Sequence, residues 1–133
     1  MDSLKEIRWK QRFQNFEKSY RTLETYVHRP LTSELERAGL VHLFEVTFEL
    51  AWKVLKDYLE SEGLTMSSPR ETLKTAFQAG ILEDGHVFID ALSHRNLAAH
   101  TYDEAMATQL VTEIKNAYFP ALRNLYERLR EEI

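Results

Sequence analysis

The chain predicts an all-α fold: an antiparallel helical bundle of about five helices with a four-helix up-and-down core. Three observations predict it. Apolar residues make up 44% of the 133 residues, and they recur at steps of three and four rather than two. Glycine (4) and proline (3) are scarce, whereas a sheet needs many turns. The breaks between apolar stretches carry helix-capping signals. The length suits one domain, residues 1–133.

The first helix is expected over residues 2–28. Trp9, Phe13, Phe16, Tyr20, Leu23 and Val27 form one apolar stripe, and Pro30 ends it by disfavouring helical geometry at Arg29. The second helix is expected over 31–62. Val41, Phe44, Phe48, Ala51/Trp52, Leu55 and Leu59 make one row, while Leu40, Leu43, Leu50, Val54 and Tyr58 lie outside it. A helix apolar over so much of its circumference is buried on more than one side, which points to a central helix or a subunit interface. Gly63 fits the position just past its end. Ser68, Pro69 and Glu71 announce a short third helix closed by Gly80. The fourth is expected over about 84–100, with Phe88, Leu92 and Arg95 along one side. A second capping box, Thr101 with Glu104, starts the fifth, which runs nearly thirty residues, or ~45 Å, to the C-terminus. Pro120 falls inside it and is expected to kink or split it.

Composition narrows the function. The net charge is −4, so broad electrostatic coating of nucleic acid is not expected, although a small local basic site is. There is no cysteine, which excludes disulfides, thiolate zinc sites and a cysteine nucleophile. No apolar run approaches membrane-spanning length, and the first residues lack the apolar core of a signal peptide. A soluble cytoplasmic protein that does not engage a membrane is expected.

Reactive side chains are densest at residues 95–102. Arg95 is a permanent cation, His100 exchanges a proton near neutral pH, and Asn96 and Tyr102 add neutral hydrogen-bonding groups. Arg95 and His100, five apart, diverge by ~140° on an ideal helix. They face one ligand only if the helix breaks between them or a second subunit contributes. Asn96 and His100, four apart, share a face, which suits Asn96 to holding the imidazole in one tautomer. An Arg–His pair fits phosphodiester chemistry in RNA without a metal or cofactor. The imidazole deprotonates a 2′-hydroxyl or protonates the leaving oxygen, and the guanidinium holds the phosphate. The same pattern also fits a structural role, with Arg95 bonding helix-end carbonyls, His100 packed at the junction and Tyr102 in the core. Whether His94 belongs to the site or is merely solvated, sequence does not decide.

Other constellations are weaker. His42, Glu45 and Glu49 share a helical face at a spacing open to a metal, but the paired Glu-x-x-His pattern of helical di-metal sites is absent, and no metal is expected. Phe48, Glu49, Trp52 and Lys53 are candidates for a pocket wall or interface, with an amphipathic rim as the alternative. There is no glycine-rich phosphate loop and no serine-nucleophile motif.

Three segments together, FEVTFELAWKVLKDYL at 44–59, SPRETL at 68–73 with AFQAG at 76–80, and RNLAAHTYDE at 95–104, resemble the nucleotidyltransferase substrate-binding proteins of the HEPN superfamily. The resemblance covers about residues 8–120. It implies a helical bundle that forms a homodimer, and a partner chain encoded nearby, a minimal nucleotidyltransferase. It implies a toxin–antitoxin pair in which the helical member cleaves RNA and the transferase restrains it by adding AMP to a tyrosine. Carried over, Arg95 and His100 would be the catalytic pair, Asn96 a supporting residue and Tyr102 the AMP acceptor. Such proteins often carry an acidic residue before the motif arginine; here that position is His94, a second titratable group. An alternative account of the same pairing is a non-catalytic subunit that binds substrate for the transferase.

Overall fold

A computed structural model describes residues 3–98 and 103–133. Among them the chain is entirely helical: α1 (Ser3–Tyr26), α2 (Glu34–Ser61), α3 (Pro69–Gln78), α4 (Gly85–Ala98), α5 (Glu104–Glu113), a π-helical turn (Ile114–Tyr118) and α6 (Phe119–Glu131). The α5, π and α6 segments run on as one interrupted helix, so the fold is the expected all-α bundle of five helices. α1 and α2 pair antiparallel, with Arg12 opposite Asp57 and Ser19 opposite Thr47. α6 returns antiparallel to α1, Phe13 stacking on Tyr126 and Tyr20 on Phe119. α4 lies antiparallel to the last helix, from Asp84–Asn124 at one end to His94–Tyr118 at the other. These four make the up-and-down core, and the short α3 bridges α2 and α4.

The α1 stripe is buried throughout: Trp9, Phe13, Phe16, Tyr20, Leu23 and Val27 are all 3% exposed or less. Most of the wide apolar arc of α2 is covered within the chain, because α1, α3 and α5 all pack on it, while Leu35 and Val46 stay exposed. α2 is therefore the central helix. Its two buried polar groups are matched by α1. Asp57 accepts from Arg12 Nε at 2.8 Å, and the Thr47 hydroxyl meets that of Ser19 at 2.5 Å.

Helix ends follow local chemistry and trim the expected boundaries. α2 starts three residues later than expected because Ser33 caps it, accepting from Glu36 N at 3.1 Å, while Glu36 reaches back to Thr32 N at 2.8 Å. Ser68 caps α3 by accepting from Glu71 N, but the Glu71 carboxylate takes the N–H of Ser67, one residue before the cap. Gly63 (φ 94°) and Gly80 (φ 79°) turn the chain out of α2 and α3 in the left-handed region. The described cap of α5 is Asp103, accepting from Ala105 N at 3.0 Å, rather than the expected Thr101, which lies outside the described residues.

Pro120 splits the last helix less than a break would. It has no N–H and its ring crowds the carbonyl four residues back. The chain absorbs both problems by widening one turn, so that Phe119 N–H bonds Ile114 O in i→i+5 fashion. The widened turn seats Tyr118, 2% exposed, against Phe44 of α2, their ring centroids 5.4 Å apart.

One sequence expectation changes here. Phe48, a candidate for an interface or pocket wall, is 1% exposed and packs on Phe44 at 5.7 Å and Phe88 at 5.9 Å. It faces inward because it continues the α2 row that meets α4. Phe48→Ala should therefore cost ~3–5 kcal/mol as a large core truncation, read by urea denaturation. A loss below about 1 kcal/mol would place the ring outside the core.

Candidate functional site at the α4–α5 junction

Arg95 stands in the last turn of α4 and pairs with the Glu49 carboxylate on α2. The other Glu49 oxygen faces Lys53 Nζ at 3.6 Å. Glu49 thus sits between two cations, one on its own helix and one across the groove. The carboxylate absent from the position before Arg95 is supplied by α2 instead. Glu49 and Arg95 side chains are 32% and 26% exposed, accessible enough for a ligand to compete. Lys53 also lies 6.0 Å over the Trp52 ring, and Trp52 Nε1 is buried with no hydrogen-bond partner among the described residues. Of the four pocket-wall candidates, Glu49, Trp52 and Lys53 are thus in mutual contact, while Phe48 is buried.

A second tie holds the far side of the junction. Arg37, near the start of α2, donates from Nε to Glu104 Oε1 at 2.8 Å, just past the Asp103 cap. The end of α4 is therefore tied to α2 at Glu49 and the start of α5 at Arg37, twelve positions or ~18 Å apart along the helix. His42 and Glu45 lie between the two anchors. Burial pushes the Glu45 carboxyl above the usual range, opposed by the charges of His42 and Arg95. Among the described residues, no group of three His, Asp or Glu side chains converges to hold a metal. Asn96 falls in the last turn of α4. Its side chain, together with His100 and Tyr102, lies outside the described residues.

His94 faces away from Arg95, toward the last helix. Its Nδ1 is 2.5 Å from the Tyr118 hydroxyl, which donates to Asp90 Oδ2 at 2.8 Å. Burial first, then the bond to Asp90, raises the Tyr118 phenol well above its ordinary pKa, so it stays protonated. Sequence reasoning missed this chain. Asp90 and His94 were readable as an i, i+4 pair on one helix face, but the partner on a helix twenty-four residues on was not. The His94 ring lines a recess of about 130 Å³ with Met106, Gln109 and Leu110 of α5.

An all-α bundle in which an arginine at the end of α4 and a glutamate at the start of α5 are each paired to α2 defines the class: a small helical protein with a polar cluster along its central helix. The chain belongs to the nucleotidyltransferase substrate-binding protein family, whose model, described as nucleotidyltransferase substrate binding protein like, matches residues 11–131. It is similar to a protein of Thermus thermophilus known from its crystal structure, with a TM-score of 0.79 and 32% identity over 86% of this chain and 98% of that one. It shares the fold of HI0074 from Haemophilus influenzae, solved as the fold of a substrate binding domain of a nucleotidyltransferase, with a TM-score of 0.75 and 22% identity over 89% of this chain and 98% of that one. A Haemophilus influenzae protein named probable ribonuclease HepT is 25% identical over 99 residues, 71% of this chain and 67% of its own length. No helix among the described residues is long and apolar enough to cross a membrane.

The raised Glu45 carboxyl makes a pH-dependent contribution of definite sign. Its folded-state pKa lies above the unfolded value of ~4.3, so it favours folding most below that value. The advantage is lost as pH rises through the folded value. Glu45→Gln removes the buried charge and should make the protein more stable than wild type at about pH 7, with that gain absent at about pH 3. Urea denaturation at the two pH values checks it. An equal effect at both would mean that burial of the charge is not the cause.

Proposed function

We propose that this chain is the partner subunit of a minimal nucleotidyltransferase and is itself a metal-independent endoribonuclease. In this reading Arg95 and His100 act on RNA, Asn96 supports the imidazole, and the transferase restrains cleavage by adding AMP to Tyr102. The observation that carries it is the placement of Arg95: a guanidinium at the α4–α5 junction, oriented by a carboxylate from α2 and still partly open to solvent. A phosphate arriving there meets an oriented fork of N–H donors. The naming of a relative as probable ribonuclease HepT supports the same chemistry. The divergence of Arg95 and His100 on a helix further leads us to a homodimer whose seam lies at this junction, bringing two copies of the motif to one groove.

Cleavage begins when a base takes the proton of a ribose 2′-hydroxyl. The 2′-oxygen forms a bond to phosphorus, the bond to the 5′-oxygen breaks, and an acid protonates that leaving oxygen. The products are a 2′,3′-cyclic phosphate and a 5′-hydroxyl. Arg95 offsets the charge gathered on the phosphoryl oxygens. The purified dimer should cleave RNA in the presence of chelator. His100→Ala and Arg95→Ala should each lose ~10²- to 10⁴-fold while keeping the helical circular-dichroism signal. Undiminished cleavage by His100→Ala would place the activity elsewhere, and sedimentation as a monomer at micromolar concentration would remove the shared groove.

A second reading is favoured by the Glu49 contact. Arg95 is already matched by a carboxylate, which suits a subunit that holds the junction in shape and binds substrate for the transferase without cleaving anything. Absence of RNA cleavage, together with a higher transferase activity in the complex than in the transferase alone, would select it.

In the regulatory step, the Tyr102 phenol oxygen attacks the α-phosphorus of ATP held by the transferase. Pyrophosphate leaves and the phenol proton passes to a base of that enzyme. The adduct places a phosphate near Arg95, where it competes with RNA for the cation. Co-expression with the transferase should add one or more AMP masses to the intact chain, and none to Tyr102→Phe. An unmodified mass in an active pair would exclude AMP transfer to this chain.

A further inference from the structure

We infer that the turn between α1 and α2 carries a nucleotide-binding recess. It takes a nucleobase with its phosphate, either as a free mononucleotide or as one unit of a single-stranded RNA. The inference uses none of residues 95–104 and stands apart from the ribonuclease reading above. It rests on a cavity, a glycine and a set of cations at one end of the bundle.

The recess holds about 350 Å³, within the range of ligand pockets, roughly 300–1,000 Å³. Leu31, Leu40 and Leu43 give it apolar walls, and Tyr26 of α1 stands beside them. Gly39 of α2 also lines it. A glycine inside a helix weakens it relative to other residues, and neither backbone nor packing requires one here. Its φ is not positive, and a Cβ built on it would meet no atom within 4 Å. What the missing side chain does is leave the recess open.

Two groups of opposite charge line the same recess. Glu36 accepts on Oε1 from Thr32 N at 2.8 Å and from Thr32 Oγ1 at 2.9 Å, and these bonds hold its carboxyl below the usual range. It stays ionised, and Oε2 has lone pairs for a donor such as the amino group of a base. Arg29 lays its guanidinium 4.7 Å over the Tyr26 ring, and bases stack on such aromatic and guanidinium planes. Lys115 of the π turn donates to the Arg29 carbonyl at 3.2 Å. His28, next along the chain, packs at right angles to the Phe119 ring at 5.7 Å, and Arg123 lies 5.0 Å over that ring. Among the described residues Arg29, Lys115 and Arg123 enter no ion pair. In a protein of net charge −4, unneutralised cations beside an apolar recess favour an anion with a flat apolar body. A nucleotide supplies each part: a phosphate for Arg29, a ring for the leucine walls and Tyr26, an amino group for Glu36. Where the chain continues as RNA, Lys115 and Arg123 face its neighbouring phosphates. A fatty acid or an acidic peptide lacks the amino-bearing ring.

The test titrates the full-length protein with AMP, with a pentamer of 2′-O-methyl adenylate, and with penta-glutamate. The methylated pentamer cannot be cleaved by attack of a 2′-hydroxyl, so the result is separate from any ribonuclease activity. NMR reads the methyl resonances of Leu31, Leu40 and Leu43, and calorimetry reads affinity. AMP should shift all three methyls. Gly39→Leu should lose those shifts at the AMP concentration that saturates wild type, yet unfold at higher urea, because leucine is the better helix former. A glycine with a purely structural role would not separate the two readouts. Tighter binding of the pentamer than of AMP identifies a unit of RNA as the occupant, and Lys115→Ala should then flatten the slope of log affinity against log salt by ~0.7. Equal affinity for the two identifies the free mononucleotide. Leucine methyls unmoved by AMP and pentamer alike overturn the inference, as does Gly39→Leu binding as well as wild type. Penta-glutamate competing as well as the pentamer would reduce the recess to a charged patch and overturn it too.

Discussion

Burial of α2 on three sides is the constraint from which the rest of the structure follows. A 28-residue helix flanked by α1, α3 and α5 cannot rotate about its axis without exposing Phe44, Phe48 or Leu55, each 1% exposed or less. At ~25 cal/mol per Å² of apolar surface, exposing even one of these side chains costs more than a surface ion pair returns. Four polar groups on α2 therefore have fixed directions. Asp57 and Thr47 are aimed at α1 and are satisfied there. Arg37 and Glu49 are aimed at the α4–α5 connection. The ends of α4 and α5 are tied to α2 by charges, but those charges are placed by the hydrophobic core.

Pro120 has an effect at a distance for the same reason. The π turn before it adds a residue to one helical circuit and so rotates the residues ahead of it relative to those after. Tyr118 ends that turn, packed on Phe44 on one side with its hydroxyl among Asp90 and His94 on the other. A phenol fits this place because its ring belongs to the core and its oxygen does not. The imide that interrupts the helix and the His94 chain are thus two ends of one local adjustment.

The fold was largely legible in the sequence because it depends on periodicity and on caps, both of which are local. The α1 stripe, the wide arc of α2, the Ser68 cap and the turns at Gly63 and Gly80 could all be read from residues within one or two turns of each other. The ambiguity over α2, central helix or subunit interface, arose because an apolar arc does not say what covers it. The candidate site was legible only in part. Arg95 could be picked out, but its partner Glu49 lies 46 positions earlier, and no spacing rule connects residues on two helices before their packing is known. Tyr118 with His94 was hidden for the same reason. His100, Tyr102 and the side chain of Asn96 lie outside the described residues.

The electrostatics of the junction bear on how an acidic protein can handle a polyanion. With a net charge of −4, the surface as a whole does not draw RNA in, so under the proposed function RNA binding rests on a few oriented cations. An isolated guanidinium at the end of α4 would turn toward the helix-terminal carbonyls, whose partial negative charge attracts it. Glu49 gives it a carboxylate partner on α2. A carboxylate beside a phosphate site repels the phosphate, but Lys53 on the other oxygen of Glu49 shares that charge and offsets the repulsion at short range. Salt screens such exposed pairs beyond ~8–10 Å, so the arrangement acts on a phosphate that has reached the junction rather than on RNA at a distance. Under the proposed function the site is therefore selective for close contact. That property lets one covalent change at Tyr102, adding a single phosphate near Arg95 under the proposed regulation, compete with RNA without altering the fold that α2 maintains.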